Sequence, residues 1–119
     1  LRRSNKERIQ KALESIDGVR VVNERPHAET SWFGVPTVCE DNNLKRSLVA
    51  YLEENKIQTR NYFAGNILLH PGYRDLGKAS DYPNANQVLD KVFFLGCSPT
   101  IHEKMLQYIE KVIGNYVSN

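Results

Sequence analysis

Apolar residues recur at helical spacing in four stretches of the chain. The first stretch follows Ser4 and Glu7, which match a capping box, where each side chain bonds the free backbone N–H of the other residue. It predicts a helix over residues 4–17, with Gly18 at a position typical of a helix end. The four helical stripes consist of Ile9, Ala12, Leu13 and Ile16; Leu44, Leu48, Tyr51 and Leu52; Val88, Leu89 and Val92; and Met105, Ile109, Val112, Ile113 and Tyr116.

Polar and proline-containing segments mark where the other three helices begin. The turn at residues 41–43 offers capping side chains before the second helix. Pro83 and Asn84 precede the third helix. Thr100 and Glu103 match a second capping box, directly after Pro99, and predict the start of the last helix.

Four shorter stretches are rich in β-branched and aromatic residues and predict strands at residues 19–22, 32–40, 57–62 and 93–95. Alternation in the second strand assigns its side chains to two faces: Phe33, Val35, Thr37 and Cys39 on one, Trp32 and Val38 on the other. Pro36 indicates that this strand lies at an edge or carries a bulge, because proline has no N–H to donate to a central ladder.

The elements follow the order helix, strand, strand, helix, strand, long loop, helix, strand, helix. Two consecutive strands followed by alternation predict an α+β, two-layer sandwich, with a mainly antiparallel sheet of about four strands and helices on one face. The chain has 119 residues, which is enough to bury a core without disulfides or metals. We therefore expect residues 1–119 to form a single domain.

Charge, hydropathy and cysteine content narrow the function classes. The formal net charge is +2, and acidic residues are interleaved with basic ones, so no nucleic-acid surface is expected. No apolar run is long enough to span a membrane, and no signal peptide is evident. Cys39 and Cys97 stand alone in apolar runs, which indicates buried free thiols, a reducing cytosol and no metal site within the chain.

Residues 58–76 hold the side chains best suited to binding chemistry. A cation, aromatic rings, an amide and an imidazole are concentrated here: Arg60, Tyr62, Phe63, Asn66, His70 and Tyr73. Gly65 and Gly72 permit unusual backbone conformations or the close approach of a ligand. The loop at residues 63–81 is longer than usual, and long loops are often functional. Since guanidinium groups bind phosphate and rings stack on a base or sugar, the composition fits contact with a nucleotide sugar.

Each of these residues also has a purely structural interpretation. Arg60 can pair with a surface carboxylate, and Phe63 can belong to the core. Asn66 can stabilise a turn, and His70 can be a hydrogen-bonded structural histidine. The chain contains no serine-hydrolase, zinc-protease, P-loop or dinucleotide motif. No lysine stands in an apolar setting that would indicate a depressed pKa and Schiff-base chemistry.

Four collinear segments carry a family resemblance: FGVPTVCEDN at residues 33–42, LVAYLEENKIQTR at 48–60, FAGNILLHPGY at 63–73 and YPNANQVLDKVFFLGCSPTI at 82–101. Together they resemble the C-terminal region of the DegT/DnrJ/EryC1/StrS family of sugar aminotransferases and dehydratases. Within it, residues 59–66 are most similar to the branch of CDP-4-keto-6-deoxyglucose 3-dehydrases of lipopolysaccharide biosynthesis. LLHPGY stands where this branch more often has Arg-Gln-Pro, which leaves a related dehydratase or an aminotransferase open.

The resemblance implies the C-terminal small domain of a larger cytoplasmic enzyme of fold type I, dependent on pyridoxal or pyridoxamine phosphate (PLP or PMP). The large domain would bind the cofactor, and a 3-dehydrase would remove the C3 hydroxyl of a nucleotide-linked 4-keto sugar. Some members carry a [2Fe-2S] cluster in the large domain and receive electrons from a reductase, and members are commonly homodimers. The chain, which begins at Leu1 rather than Met, is therefore expected to be a piece that is inactive alone.

The resemblance also implies which residues line the substrate side of the cleft: Arg60, Phe63, Asn66 and His70. Arg60 would meet phosphate or sugar hydroxyls, Phe63 would pack on a ring, and Asn66 would hydrogen-bond sugar or cofactor. No residue of the chain is expected to be the principal acid or base. Two other interpretations stay open: a free-standing module that binds a partner or nucleotide through residues 63–81, and a structural α+β domain without a ligand.

Overall fold

The computed structural model describes residues 1–119, whose helices and strands follow the predicted order. The elements are α1 (Arg2–Leu13), β1 (Val19–Val21), β2 (Gly34–Cys39), α2 (Asn42–Glu54), β3 (Thr59–Asn61), α3 (Pro83–Lys91), β4 (Val92–Gly96) and α4 (Glu103–Ser118). The connection from β3 to α3, residues 62–82, contains three short 3-10 turns at Ile67–Leu69, Arg74–Leu76 and Ala79–Asp81. None of the helices has the length and apolar character needed to cross a membrane.

The four strands form one antiparallel sheet in the order β1-β2-β4-β3. Side chains on one face of the two central strands are fully buried, among them Val35, Thr37, Phe93 and Leu95. Apolar residues of α1, α2 and α4 complete this core, as shown by the buried Ile9, Leu13, Leu48, Leu52, Leu106 and Ile113. The predicted α+β sandwich with a four-stranded antiparallel sheet and helices on one face is therefore confirmed.

The opposite face of the sheet, which we call the free face, carries Pro36, Val38, Phe94 and Arg60. Cross-strand pairing places Pro36 and Arg60 on either side of Phe94, so the three side chains share that face. Val38 lines a groove there of about 500 Å³, together with side chains of α3. The free face is where the candidate residues of the sequence meet the sheet.

The prediction that Pro36 marks an edge or a bulge is wrong, because β2 lies between β1 and β4. The carbonyl of Pro36 accepts a hydrogen bond from the backbone N–H of Val22, at 3.0 Å, so its nitrogen also faces the β1 side. Since β1 ends at Val21, the missing donor falls where the ladder stops. A central strand thus accommodates proline at the one place where its N–H is not needed.

Both predicted capping boxes are wrong. Helix α1 begins at Arg2, because the backbone N–H of Asn5 donates to the carbonyl of Leu1 at 2.9 Å, so Ser4 lies inside the helix. The guanidinium group of Arg2 donates to the backbone oxygen of Trp32 at 3.3 Å. Before α4, the hydroxyl of Thr100 bonds Ser98 instead. By contrast, the carboxylate of Asp41 accepts from the backbone N–H of Leu44 at 2.8 Å and caps α2 as predicted.

An ion-pair network joins α1 to α4. The guanidinium group of Arg8 forms two parallel bonds with the carboxylate of Glu110, at 2.9 and 2.8 Å, and one with Glu103 at 2.6 Å. Hydrogen bonds from Arg8, and then from Gln107, lower the pKa of Glu103 below its ordinary value of 4.5. The charge of Glu103 therefore stabilises the folded chain.

We expect Glu103→Gln to lower the melting temperature slightly at neutral pH and to lose this effect in acid. A carboxyl whose folded pKa is depressed contributes stability that is complete above its ordinary pKa of 4.5 and is lost as the pH falls through the folded pKa. Thermal unfolding at a series of pH values measures whether the melting temperatures of wild type and Glu103→Gln become equal in acid. Lys104→Gln, a charge change at the next residue, is the control; a constant difference between wild type and Glu103→Gln down to strong acid would contradict the assignment.

Candidate functional site

Arg60 lies on the free face, at the edge strand β3. It pairs across the ladder with Phe94, which places the two side chains side by side. Its side chain is exposed, and none of the ion pairs of the structure includes it. The guanidinium group is therefore available to a phosphate or a hydroxyl-bearing ligand.

Phe63 follows β3 in a tight turn that holds its ring in solvent. Its backbone N–H donates to the carbonyl of Asn61 at 2.8 Å, and its φ of 53° lies in the left-handed region, which is unusual for an aromatic residue. The ring stacks on Phe94 with centroids 6.0 Å apart, and Tyr62 meets it edge-on at 5.2 Å. With 71% of its surface exposed, Phe63 is not the core residue that the structural interpretation allowed.

Phe33 also reaches the free face, although alternation placed it on the same face as Val35, Thr37 and Cys39. It is 71% exposed, and its ring lies 5.8 Å from that of Phe94. The regular strand begins only at Gly34, so alternation does not extend to Phe33, and Trp32 packs against the core instead. Gly34 admits the ring of Phe94, because a Cβ there would lie 2.6 Å from it.

These side chains form a shallow groove, which we call the aromatic groove, lined by Phe33, Arg60, Asn61, Phe63 and Phe94. Its volume is about 580 Å³. Three rings supply apolar flat surface, and Arg60 and Asn61 supply the polar groups. The structure thus brings two of the four predicted site residues together and adds Phe33, which sequence alternation had assigned elsewhere.

Asn66 is buried and its side chain bonds within the chain. The amide nitrogen donates to Oδ1 of Asn86 at 2.8 Å and to the carbonyl of Ala79 at 3.2 Å, and its oxygen accepts from the backbone N–H of Leu68 at 3.1 Å. Only 2% of Asn66 is exposed. These bonds are those of the turn-stabilising interpretation, and a contact of Asn66 with substrate or cofactor stays a prediction.

His70 lies at the surface of the same connection. Its Nε2 is 3.1 Å from the carbonyl oxygen of Ala64, which orients the ring towards the chain rather than towards the aromatic groove. The hydrogen-bonded histidine that the sequence also allowed is therefore present. Its role at the substrate side of the cleft stays a prediction.

Helix α3 anchors the β3–α3 connection to the rest of the domain. Lys45 of α2 donates to the carbonyl of Leu89 at 2.7 Å, and Asn42 donates to that of Asp90 at 2.8 Å. Gly65 then packs directly on α3, since a Cβ at this position would lie 2.7 Å from Leu89. Because Gly65 also has a φ of 63°, only glycine meets both requirements easily.

The interpretation that no lysine stands in an apolar setting is wrong. Lys6 and Lys45 are only 5% and 7% exposed, and burial lowers the pKa of both ammonium groups. Lys6 lies 4.6 Å above the ring of Trp32 and donates to Gln10 at 2.6 Å. Both ammonium groups are already donors, and neither lines the aromatic groove, so these lysines do not fit the attachment of an aldehyde cofactor.

Neither thiol fits a metal centre. A [2Fe-2S] cluster is typically held by four cysteines, and this chain has two, both buried. No cluster of three histidine, cysteine or acidic side chains is arranged to hold a metal ion. The residues of this chain therefore do not fit a [2Fe-2S] cluster.

The chain is similar in sequence to a known protein family and to two of its relatives. A sequence profile of the DegT/DnrJ/EryC1/StrS aminotransferase family matches residues 1–113. The chain is 33% identical, over 98% of its length, to a dTDP-4-dehydro-2,6-dideoxy-D-glucose 3-dehydratase of Saccharopolyspora spinosa. It is 34% identical, over 69% of its length, to the lipopolysaccharide biosynthesis protein RfbH of Salmonella typhimurium.

Solved structures share the fold. The GDP-4-keto-6-deoxy-D-mannose-3-dehydratase of E. coli, solved with bound hydrated PLP, superposes with a TM-score of 0.72 and 21% identity over 94% of this chain and 30% of that one. Structures described as an aminotransferase and as a sugar aminotransferase share the fold too. The chain spans 26% and 20% of the two curated relatives, a share that fits one domain of a larger architecture.

Proposed function

Because the chain belongs to the DegT/DnrJ/EryC1/StrS aminotransferase family, we propose that it is the C-terminal small domain of a nucleotide-sugar 3-dehydrase. The observation that carries this proposal is the 33% identity with a sugar 3-dehydratase along 98% of the chain. The reaction is removal of the C3 hydroxyl from a CDP-4-keto-6-deoxyhexose. The similarity to RfbH supports a place in the synthesis of O-antigen or lipopolysaccharide.

The residues of this chain would act by binding and orienting the substrate. The unpaired guanidinium of Arg60 suits a phosphate, and the exposed ring of Phe63 suits a flat partner. Asn66 and His70 would act through the β3–α3 connection that they hold together. No proton transfer at the reacting carbon is assigned to these residues.

The cofactor would be PLP or PMP, which supplies an electron sink when bound. Since Lys6 and Lys45 do not fit its attachment, the attachment site would lie in the rest of the protein. The rest of the protein would also hold any [2Fe-2S] cluster and meet a reductase, because removal of a hydroxyl consumes an electron pair. We place the full-length enzyme in the cytoplasm as a homodimer.

The reaction of the full-length protein tests the proposal. CDP-4-keto-6-deoxyglucose is incubated with the protein, PMP, glutamate and an electron-donating reductase, and the products are identified by mass spectrometry and NMR. We expect a product that has lost the C3 oxygen. A product in which the keto oxygen is replaced by an amino group, formed with glutamate, would contradict the proposal in favour of transamination.

Transamination is the second candidate function. It is favoured by the aminotransferases among the structures that share the fold. The same incubation separates the two reactions, because only transamination leaves the nitrogen of the amino donor on the former keto carbon of the product.

A further inference from the structure

Two phenylalanine rings on the free face are exposed to an unusual degree. Phe33 and Phe63 each have 71% of their surface in solvent, yet both rest against one fixed ring, that of Phe94. Phe94 is only 8% exposed and belongs to a central strand. The aromatic groove therefore has a buried floor, the ring of Phe94, which both exposed rings contact.

The backbone adopts an unfavourable conformation at Phe63 to hold this arrangement. A φ of 53° at Phe63 is a conformation that bulky residues rarely adopt. In an extended conformation the ring would point elsewhere, so the turn fixes it beside Phe94. Gly34 also preserves the arrangement, because any side chain at that position would displace the ring of Phe94.

The groove combines two kinds of chemistry. Phe33, Phe63 and Phe94 offer ring faces and no hydrogen-bonding groups, whereas Arg60 offers an unpaired cation beside the floor. Exposed rings stack on any nucleobase, because every base has a π face. A guanidinium group binds phosphate in a paired geometry.

We infer that the aromatic groove binds the nucleoside end of the substrate, with the base against Phe33 and Phe63 and the phosphates towards Arg60. The inference rests on the proposed function only in taking the substrate to be a nucleotide-linked sugar. It assigns Phe33 a role in binding and makes Phe94 the residue that positions both rings.

A base fits this groove better than a hexose does. A sugar presents hydroxyl groups on all sides, and each needs a hydrogen-bond partner when water is removed. Of the five side chains that line the groove, only Arg60 and Asn61 can supply one. A nucleoside diphosphate matches this groove, because its planar base can contact the rings and its phosphates can bind the guanidinium group of Arg60.

Calorimetric titration of the full-length protein with CDP, and with inorganic pyrophosphate as a probe without a base, tests the inference. We expect Phe33→Leu and Phe63→Leu each to weaken CDP binding about tenfold, corresponding to about 1.4 kcal/mol, and to leave pyrophosphate binding unchanged. Phe33→Trp and Phe63→Trp should retain CDP binding, and Arg60→Gln should weaken both probes. Tyr82→Leu, an exposed aromatic outside the groove, is the matched control and should bind as wild type.

Several results would overturn the inference. They are unchanged CDP binding in both leucine variants, an equal loss in Tyr82→Leu, or no binding of CDP by the wild type. Radical footprinting provides a second measurement, in which both rings should be modified in the ligand-free protein and protected by CDP. Protection before CDP is added would show that the remaining polypeptide covers them, and the inference would fail.

These results are separable from the fate of the proposed reaction. If CDP binding depends on the rings but the enzyme transaminates, the inference stands and the 3-dehydrase proposal fails. If the enzyme removes the C3 hydroxyl and the leucine variants keep their KM and CDP affinity, the inference alone fails.

Discussion

Replacing Phe93 by alanine is expected to lower the free energy of unfolding by about 3–5 kcal/mol, the largest loss from any single ring of the chain. Phe93 is fully buried between the sheet and the helices, so the vacated volume would be enclosed by atoms that cannot collapse into it. Denaturant unfolding of the chain, followed by circular dichroism, measures the loss. The denaturant dependence should stay two-state, because the affected core is a single cluster.

The adjacent Phe94 provides the matched comparison. Its ring lies on the free face among exposed rings, so Phe94→Ala should cost only the transfer of one side chain, about 1.5–3 kcal/mol. The two variants should rank in the opposite order for CDP binding. Phe94→Ala removes the floor of the aromatic groove and should weaken CDP binding, whereas Phe93→Ala, once folded, should bind CDP normally. Equal stability losses at the two positions would mean that the free face is as enclosed as the core face, contrary to the structure.

The periodicity of the sequence was sufficient to predict the layers. Strict alternation placed Val35, Thr37 and Cys39 on one face of the second strand, and all three are buried in the core. The same rule failed at Phe33 because alternation is a property of regular strand, which begins one residue later at Gly34. Phe33 is consequently one of three groove residues that sequence reasoning missed, with Asn61 and Phe94.

Tertiary partners explain the other errors. Ser4 matches a capping pattern, but the helix begins at Arg2, whose guanidinium group bonds a backbone oxygen thirty residues away. Lys45 reads as one charge in a mixed surface, yet its ammonium group ends at the carbonyl of Leu89. A local pattern contains neither of these distant acceptors, so only the folded chain identifies them.

The sequence predicted part of the candidate site. A cation and an aromatic ring three residues apart, Arg60 and Phe63, were recognisable as binding chemistry, and they share the aromatic groove. The register of β3 on β4, which sets Arg60 beside Phe94, depends on pairing across more than thirty residues. Sequence reasoning therefore identified the residue types but not the surface that they form.

Replacing Asn66 by alanine is expected to lower turnover of the full-length enzyme about tenfold or more while leaving the global fold intact. The change leaves the backbone N–H of Leu68 and Oδ1 of Asn86 without their partner, at about 1–3 kcal/mol for each unsatisfied group. Ala79 keeps a donor, since Nδ2 of Asn86 also bonds its carbonyl at 3.1 Å. The loss should therefore open the β3–α3 connection locally, which hydrogen exchange would report as faster exchange in residues 66–86 and unchanged exchange in α1 and α4.

Asn86→Ala separates the two roles that Asn66 can have. It breaks the bond that Asn86 shares with Asn66 and its own bond to the carbonyl of Ala79, but Asn86 has no assigned contact with substrate. If Asn66 acts by holding the connection in place, each variant should lose turnover in proportion to its loss of protection. If its amide also meets the sugar or cofactor, Asn66→Ala should lose more turnover than Asn86→Ala at equal exchange rates. Normal turnover and normal protection in Asn66→Ala would remove this residue from the site. Its hydrogen bonds would then affect neither the reaction nor the stability of the β3–α3 connection.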